Sequence, residues 1–382
     1  MLIKKTHLAL LLSIALVCAC GSTEKDNEQE TANIDAFRTY PVDITISETS
    51  VLNHIESVEV LGLEETEASL LDNASYVHIL KDHIVFRNGY RPEVFIYSKT
   101  GNFLAKIDRK GEGPEEYTSI REHWVNENLI QIYDGRRIVS YDMGGEFVKS
   151  LTVKNSAAHL NSLEGGYVAD VSSAPVEGTL KYNIAFLNEK LERDTLAVPY
   201  TTAKKTGMFW LASTFSKYND DLLYQHTYGD TIFKLKSKKA IPLLSVDLGD
   251  KWVWKDPTIN QDIQRQKALR KETGAITMIF MLVSEELVYL DLIRAGKFLL
   301  NRQSGDYQKL SFNKKGEGNH GMRQLTWDGD RMVFHISSSD IGQFLDELGD
   351  DKVKFAENNS LESIEASENP VLVWVKFKND LK

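Results

Sequence analysis

One motif recurs along this chain at a spacing few folds can accommodate. It is a hairpin: an apolar strand, a polar turn containing glycine, then a second apolar strand. FIYSKTGNF, from Phe95 to Phe103, aligns with VSYDMGGEF, from Val139 to Phe147. Weaker copies begin at Ile184, Thr231 and Phe298. The starts fall about 45 residues apart, except the last, which comes about 20 later than that. Further short runs such as ASYVHIL, HIVFRN, LIQIYD, RMVFHIS and VLVWVKF are rich in β-branched and aromatic residues, and several alternate apolar with polar. They have the composition and period of half-buried antiparallel strands. A repeat of ~40–50 residues holding four strands is the period of a propeller blade. The predicted fold is therefore all-β: a six-bladed β-propeller of four-stranded antiparallel blades.

The boundaries follow from the hairpins. Five blades are predicted at about 76–108, 120–153, 160–200, 209–248 and 278–313, and 322–377 supplies part of a sixth. The amino-terminal run VEVLGLEE, Val58 to Glu65, can provide its missing strand. A ring latched by strands from both chain ends loses the open edges that would invite aggregation. The extra length before blade five has a source in TINQDIQRQKALRKET, 258–273, whose composition is that of a helix. A second insertion, 338–366, interrupts the last blade and includes a helical stretch from Ile341 to Leu348.

The repeat also explains a glycine-rich echo. RKGEGPEEY at 109–117 returns as KKGEGNHGM at 314–322, about 205 residues later. Four blades and one insertion cover that distance, so both copies end an outer strand and start the crossing to the next blade. Gly111, Gly113, Gly316 and Gly318 are expected to supply positive φ there, and Pro114 to fix the exit of the first turn. A phosphate-binding loop would need GK[ST] ahead of a helix, and neither copy has it.

The stretch VFIYSKTGNFLAKIDRKGEGPEEY, Val94 to Tyr117, resembles the six-bladed β-propeller lipoproteins of Bacteroidota, related in outline to NHL- and TolB-like propellers. YGDTIF, Tyr228 to Phe233, and the run from Val58 to Thr66 are similar to that family's other strand starts. The resemblance implies a propeller in the cell envelope. It brings no catalytic residues.

The amino terminus agrees with that compartment. Lys4 and Lys5 precede an apolar run from Leu8 to Val17, too short to span a bilayer. It ends in VCACG, and Ala19-Cys20 resembles the lipobox of bacterial lipoproteins. We therefore expect a signal peptide at 1–19, lipid (palmitate among its chains) on Cys20, a polar tether at 20–43 and the propeller at 44–382. The expected location is the outer membrane, on its periplasmic or surface side, with the membrane contacted through the lipid. Cys18 and Cys20 are the only cysteines, so after cleavage no disulfide or zinc-thiolate site is expected.

The formal net charge of −10 argues against nucleic acid as a partner, because phosphate backbones require a basic face. The nine histidines form no HExxH and no i, i+4 pair, so no metal site and no cofactor are expected. Propellers bind ligands at a funnel of loops. Candidate ligand-face residues are Arg87, Tyr90 and Arg91 in one loop, Arg136 and Arg137 in another, and Trp124 and Trp327. Tyr, Trp and Arg carry much of the energy of protein interfaces. The expected role is binding or scaffolding, with a protein, peptide or glycan as partner and no catalysis. The alternative is a calcium-dependent hydrolase of the lactonase kind, with Glu112, Asp134, Asp170, Asp230 and Asp328 around the channel. Calcium needs ~6–8 oxygen ligands, so those carboxylates would have to converge.

Overall fold

Six antiparallel sheets follow one another along the chain in the computed structural model, which describes residues 34–155, 157–172, 182–200, 213–256, 258–259, 262–269, 271–272 and 274–381. Blade one comprises Ala74–Ile79, His83–Asn88, Val94–Ser98 and Phe103–Ile107. Blade two comprises Glu122–Asn126, Leu129–Tyr133, Arg137–Tyr141 and Phe147–Thr152, and blade three His159–Leu163, Gly166–Asp170, Tyr182–Leu187 and Arg193–Pro199. Blades four and five begin with Phe215–Tyr218 and Ile279–Val283, and blade six with Arg323–Asp328. In each blade the first strand is innermost. The fold class expected from the repeat is the one observed.

The reason the ring forms is visible in the core. Each apolar cluster joins two neighbouring blades. Phe86, Phe95 and Tyr97 of blade one pack with Val333, Leu372 and Trp374 of blade six. Ile130, Ile132 and Val139 of blade two pack with Val85 and Ile96 of blade one. A blade is apolar on both faces, so only a neighbour on each side removes that surface from water, and the row of blades must close on itself.

Closure uses the two chain ends as expected. Val371–Phe377 pairs antiparallel with Ile55–Leu61, with Val373 opposite Val60 and Trp374 opposite Glu59. The amino-terminal strand is the fourth of its blade, and Val353–Phe355 pairs parallel on its outer edge. That short strand lies within the second insertion, between the helices Ser338–Leu348 and Leu361–Glu365. The first insertion, 258–273, contains a helix where its composition suggested one. Among the described residues it holds one short helix, Ile263–Leu269, and two 3-10 turns, Gly249–Lys251 and Val253–Lys255, lie ahead of it.

Two expectations are corrected. Three blades have five strands, not four. Arg38–Pro41 pairs parallel with the outer strand of blade four, and Glu48–Ser50 does the same on blade five. The first of these lies inside the segment expected to be tether, 20–43. It is sheet because Tyr40 and Val42 bury their side chains between blades four and five, 3% and 5% exposed. Short polar residues around them masked that signal in the sequence.

The second correction concerns the glycines. Both GEG copies sit at blade crossings, but by different physics. Gly316 and Gly318 have φ of +101° and +88°. Gly111 and Gly113 do not have positive φ; they make room for a carboxylate. A Cβ on Gly111 would lie 1.9 Å from Oε2 of Glu116, which accepts a 2.8 Å hydrogen bond from the Gly113 amide. The turn that Pro114 enters closes through the Glu116 amide on the Gly113 carbonyl. Gly111→Ala should therefore cost about 1 kcal/mol by displacing Glu116. Removing that side chain as well, in Gly111→Ala with Glu116→Ala, should add little. Gly316→Ala should cost a similar ~1–2 kcal/mol through backbone strain that no neighbouring truncation relieves. Denaturant midpoints of the two cycles check the distinction.

Antiparallel connectivity sorts the loops into two faces. Connections from second to third strands, and crossings between blades, emerge on one face; the remaining hairpin turns emerge on the other. The crossing face carries both GEG turns and the three α-helices found among the described residues. The turn face receives the first described residues, where Asp35 meets Tyr218 and Lys234 beside the first turn of blade four.

Candidate functional site: the central channel

The six inner strands surround a channel of about 480 Å³. Its wall mixes rings with polar groups: Tyr76, Trp124, Phe280 and Trp327 alongside His123, Thr214, Arg323 and His335. The volume suits a small molecule or the end of a chain.

A distortion in blade one shapes the wall. Register slips between Ser75 and His78, and Tyr76 adopts a φ of +52°. Such a bulge re-aims side chains. The guanidinium of Arg87 stacks on the Tyr76 ring at 4.7 Å, and His78 reaches the backbone carbonyl of His123 at 3.1 Å. The two imidazoles meet edge to face at 4.7 Å. Glu122 is also at the wall, but its carboxylate is held by Nδ1 of His159 at 3.0 Å. Asp291 is likewise engaged, accepting from Gln324 at 2.7 Å.

Several polar groups here are buried without a partner among the described residues. They are both ring nitrogens of His123, Oγ1 of Thr214 and Nδ1 of His335. Buried polar atoms almost always find partners, and an unpaired one costs about 1–3 kcal/mol. Where such atoms line a cavity, solvent or ligand must supply the missing bonds.

Burial also sets the histidine charges. It pushes His78 down to about 4, aided by the field of Lys217. It pushes His335 to about 4 as well, aided by Arg323, and His123 well down. For His159 burial works the same way, but the hydrogen bond and charge of Glu122 outweigh it and the net shift is upward. The signs give a pH prediction. A histidine held neutral in the fold gains its proton only on unfolding, so its stabilisation is complete above about pH 6.5 and declines towards pH 4. His78 and His335 should each remove roughly 1–2 kcal/mol between pH 7 and pH 5. His159 acts oppositely: its contribution is full below about pH 6.5 and fades as pH rises through its folded value. His335→Gln should flatten the acid-side loss in chemical denaturation, and His159→Gln should leave that slope unchanged and remove the decline as pH rises above about 6.5.

The candidates from sequence separate into two groups. Tyr90, Trp124 and Trp327 come together at the channel, and Arg87 stacks on the Tyr76 ring of its wall. Tyr90 is 95% exposed at its mouth, whereas Trp124 is buried with Nε1 on Gln131 at 2.7 Å. Trp327 donates to the Leu282 carbonyl at 2.9 Å. The others serve the scaffold. Arg91 pairs with Asp72 on the surface. Arg137 grips the first GEG turn through the carbonyls of Gly113 and Glu116, both at 2.9 Å, which removes it from the ligand face. Arg136 is an exposed turn residue beside it. Cys20 lies outside the described residues.

The five carboxylates considered for calcium do not converge. Asp134 caps its own turn through the amides of Arg136 and Arg137. Asp170 accepts from Ser172 and Tyr224, Asp230 from Thr231, and Asp328 from Trp374. Glu112 is exposed in the GEG turn. Among the described residues, no group of three His, Cys, Asp or Glu side chains could hold a metal ion.

Sequence reasoning missed His123, Thr214, Arg323 and His335. Each belongs to a different strand position, and nothing in linear spacing links them. The usable signal is their phase in the blade: each lies at the crossing-face end of a first or second strand.

Residues 39–376 match the family described as Domain of unknown function (DUF4934). That span runs from the extra strand on blade four to the strand that closes blade six. The chain belongs to this family. Among solved structures, this DUF4934 propeller is similar to a Bacteroides fragilis protein described as a "Putative exported protein". The TM-score is 0.69 at 14% identity, over 90% of this chain and 100% of the other. A member of the DUF4221 family from Bacteroides vulgatus aligns over 85% of this chain and 97% of the other, at 10% identity and a TM-score of 0.44. The first likeness speaks for the propeller fold alone. No curated protein matches the sequence. Among the described residues, no helix is long and apolar enough to cross a membrane.

Proposed function

We propose that this chain is a binding module of the bacterial cell envelope, tethered by lipid on Cys20, whose ligand enters the central channel. The observation that carries the reading is the channel itself: about 480 Å³, walled by rings and by buried polar atoms that lack partners. A scaffold with a merely structural pore would satisfy those atoms internally or replace them with apolar ones. The amino-terminal signal and Ala19-Cys20 support the envelope location. The ring supports an orientation as well. The chain enters at Asp35 on the turn face, so the crossing face, with its helices and channel mouth, can turn away from the membrane. The partner of the loops is a peptide, protein or glycan that presents its terminal group to the channel.

A plugged channel tests the reading. Ser216 is a half-buried residue of the channel wall, and Ser216→Trp should fill the space without touching the blade cores. The intact chain in detergent, titrated with short glycans and peptides by calorimetry, should bind at least one, and Ser216→Trp should weaken that binding by more than tenfold. Binding unaffected by the plug would place the site elsewhere. Cys20→Ser should move the chain from the membrane to the soluble fraction, and its retention on membranes would remove the lipid tether from the proposal.

A further inference from the structure

Three polar side chains of the channel wall are buried with bonding capacity unmet among the described residues: His123 at both ring nitrogens, Thr214 at Oγ1 and His335 at Nδ1. They are 1%, 3% and 6% exposed. Burial keeps both imidazoles neutral, so each ring has one nitrogen that donates and one that accepts. The threonine hydroxyl also does both. What the wall offers is therefore two-way. A ligand carboxylate only accepts, and an ammonium only donates; a ligand hydroxyl does both.

Charge points the same way. Among the described lining residues, Glu122 and Asp291 stand against Lys217 and Arg323, so the two signs balance. Neither an acid nor an amine gains a net attraction from such a wall.

Position brings the three groups to one end. His123 is second in the inner strand of blade two, Thr214 immediately precedes that of blade four, and His335 pairs with Arg323 at the start of that of blade six. This is the crossing-face end, and Tyr90 stands at its rim, 95% exposed. The loop beneath that ring is tied down. Arg91 grips Asp72 through two contacts, at 2.6 and 3.0 Å, and Asn88 accepts from the Asp72 amide at 2.7 Å. The amides of Gly89 and Arg91 close on the carbonyls of Asn73 and Asn88. An aromatic ring on so constrained a loop loses little freedom when a ligand packs on it.

We infer that the crossing-face end of the channel takes the uncharged end of a sugar chain. Hydroxyls of its terminal residue exchange hydrogen bonds with His123, Thr214 and His335, and the C–H face of a following ring packs on Tyr90. An aromatic face above a set of two-way polar groups matches a molecule that is apolar on its ring faces and hydroxylated around its edge. The inference rests on the channel being the binding site, as proposed above, and narrows the ligand to a neutral glycan.

The test titrates the full chain, in a detergent without a sugar headgroup, with cellotriose, maltotriose and triacetylchitotriose. Acetylated, amidated trialanine and triserine serve as uncharged peptides for comparison. At least one sugar should bind tenfold or more tighter than either peptide, with an affinity that changes less than twofold between low and high salt. Thr214→Val removes the hydroxyl and keeps the shape. It should weaken that sugar about tenfold, while the melting temperature of the ligand-free protein stays the same or rises, because the hydroxyl has no partner among the described residues to lose. Tyr90→Ala should weaken the sugar at least fivefold with no change in melting temperature, since the ring is exposed. A peptide that binds as tightly as every sugar, or a sugar whose affinity survives both substitutions, overturns the glycan site and leaves the channel reading standing. A set in which no sugar and no peptide binds overturns both.

Discussion

Val60→Asp is expected to open the ring. Val60 is fully buried in the closing strand, between Val373 on one side and Phe355 on the other. Val58, Leu61 and Ile55 are buried beside it, each contributing about 1.5–3 kcal/mol by burial. A carboxylate at position 60 has no cation within this apolar cluster, so the strand must either bury a bare charge or leave the sheet. The cost should exceed about 4 kcal/mol, beyond the range of ordinary substitutions. Losing this strand also exposes the edges it joins, Val371–Phe377 and Val353–Phe355. The measurement is a denaturant midpoint together with small-angle scattering: a large drop and an expanded, association-prone chain are expected. An unchanged midpoint would mean that the seal between the chain ends contributes little, and that the blade interfaces alone hold the ring.

Arg302→Ala should have the second largest effect. Its side chain is 1% exposed. It donates to the Tyr218 hydroxyl, to the carbonyls of Ser284, Glu285 and Ile34, and to the Asp35 carboxylate, at 2.8–3.0 Å. Its own carbonyl receives the Tyr40 hydroxyl at 2.7 Å. The network ties blade four, blade five and the amino-terminal segment together on the turn face. Burial alone would raise the Asp35 pKa, yet bonds from Lys234, Arg302 and Tyr218 hold it below the usual carboxylate range. Truncating the guanidinium strands these acceptors, with an expected loss of about 3–5 kcal/mol. The segment from Ile34 to Ile46 should then detach first, so limited proteolysis should cut there while the blades remain protected. Cleavage that begins elsewhere would show that the segment is held by Tyr40 and Val42 packing without the arginine.

Much of the fold was legible because it is local and periodic. The hairpin from Phe95 to Phe103 announces itself through two apolar strands and a glycine turn, and its copies set the blade length. The closing strand was legible for a related reason: VEVLGL and VLVWVKF are apolar runs at opposite ends of a chain that is otherwise one strand short of six blades. The strand at Arg38–Pro41 was not legible. Only Tyr40 and Val42 are buried there, and pairing on the rim of a finished blade demands little of the sequence. The site was barely legible. Arg87, Tyr90, Trp124 and Trp327 were recognised by residue type, but Arg137 had the same credentials and proved to be a clamp on the GEG turn.

The amino-acid pattern by itself determined the number of blades, their order and the way the ends meet, because strand period and turn chemistry act between residues close in sequence. The channel was decided only by tertiary structure. Its arginine, histidines and threonine come from four different blades, and their placement depends on register within each sheet and on one bulge at Tyr76. Those are set by packing across the ring, to which no stretch of sequence has access on its own.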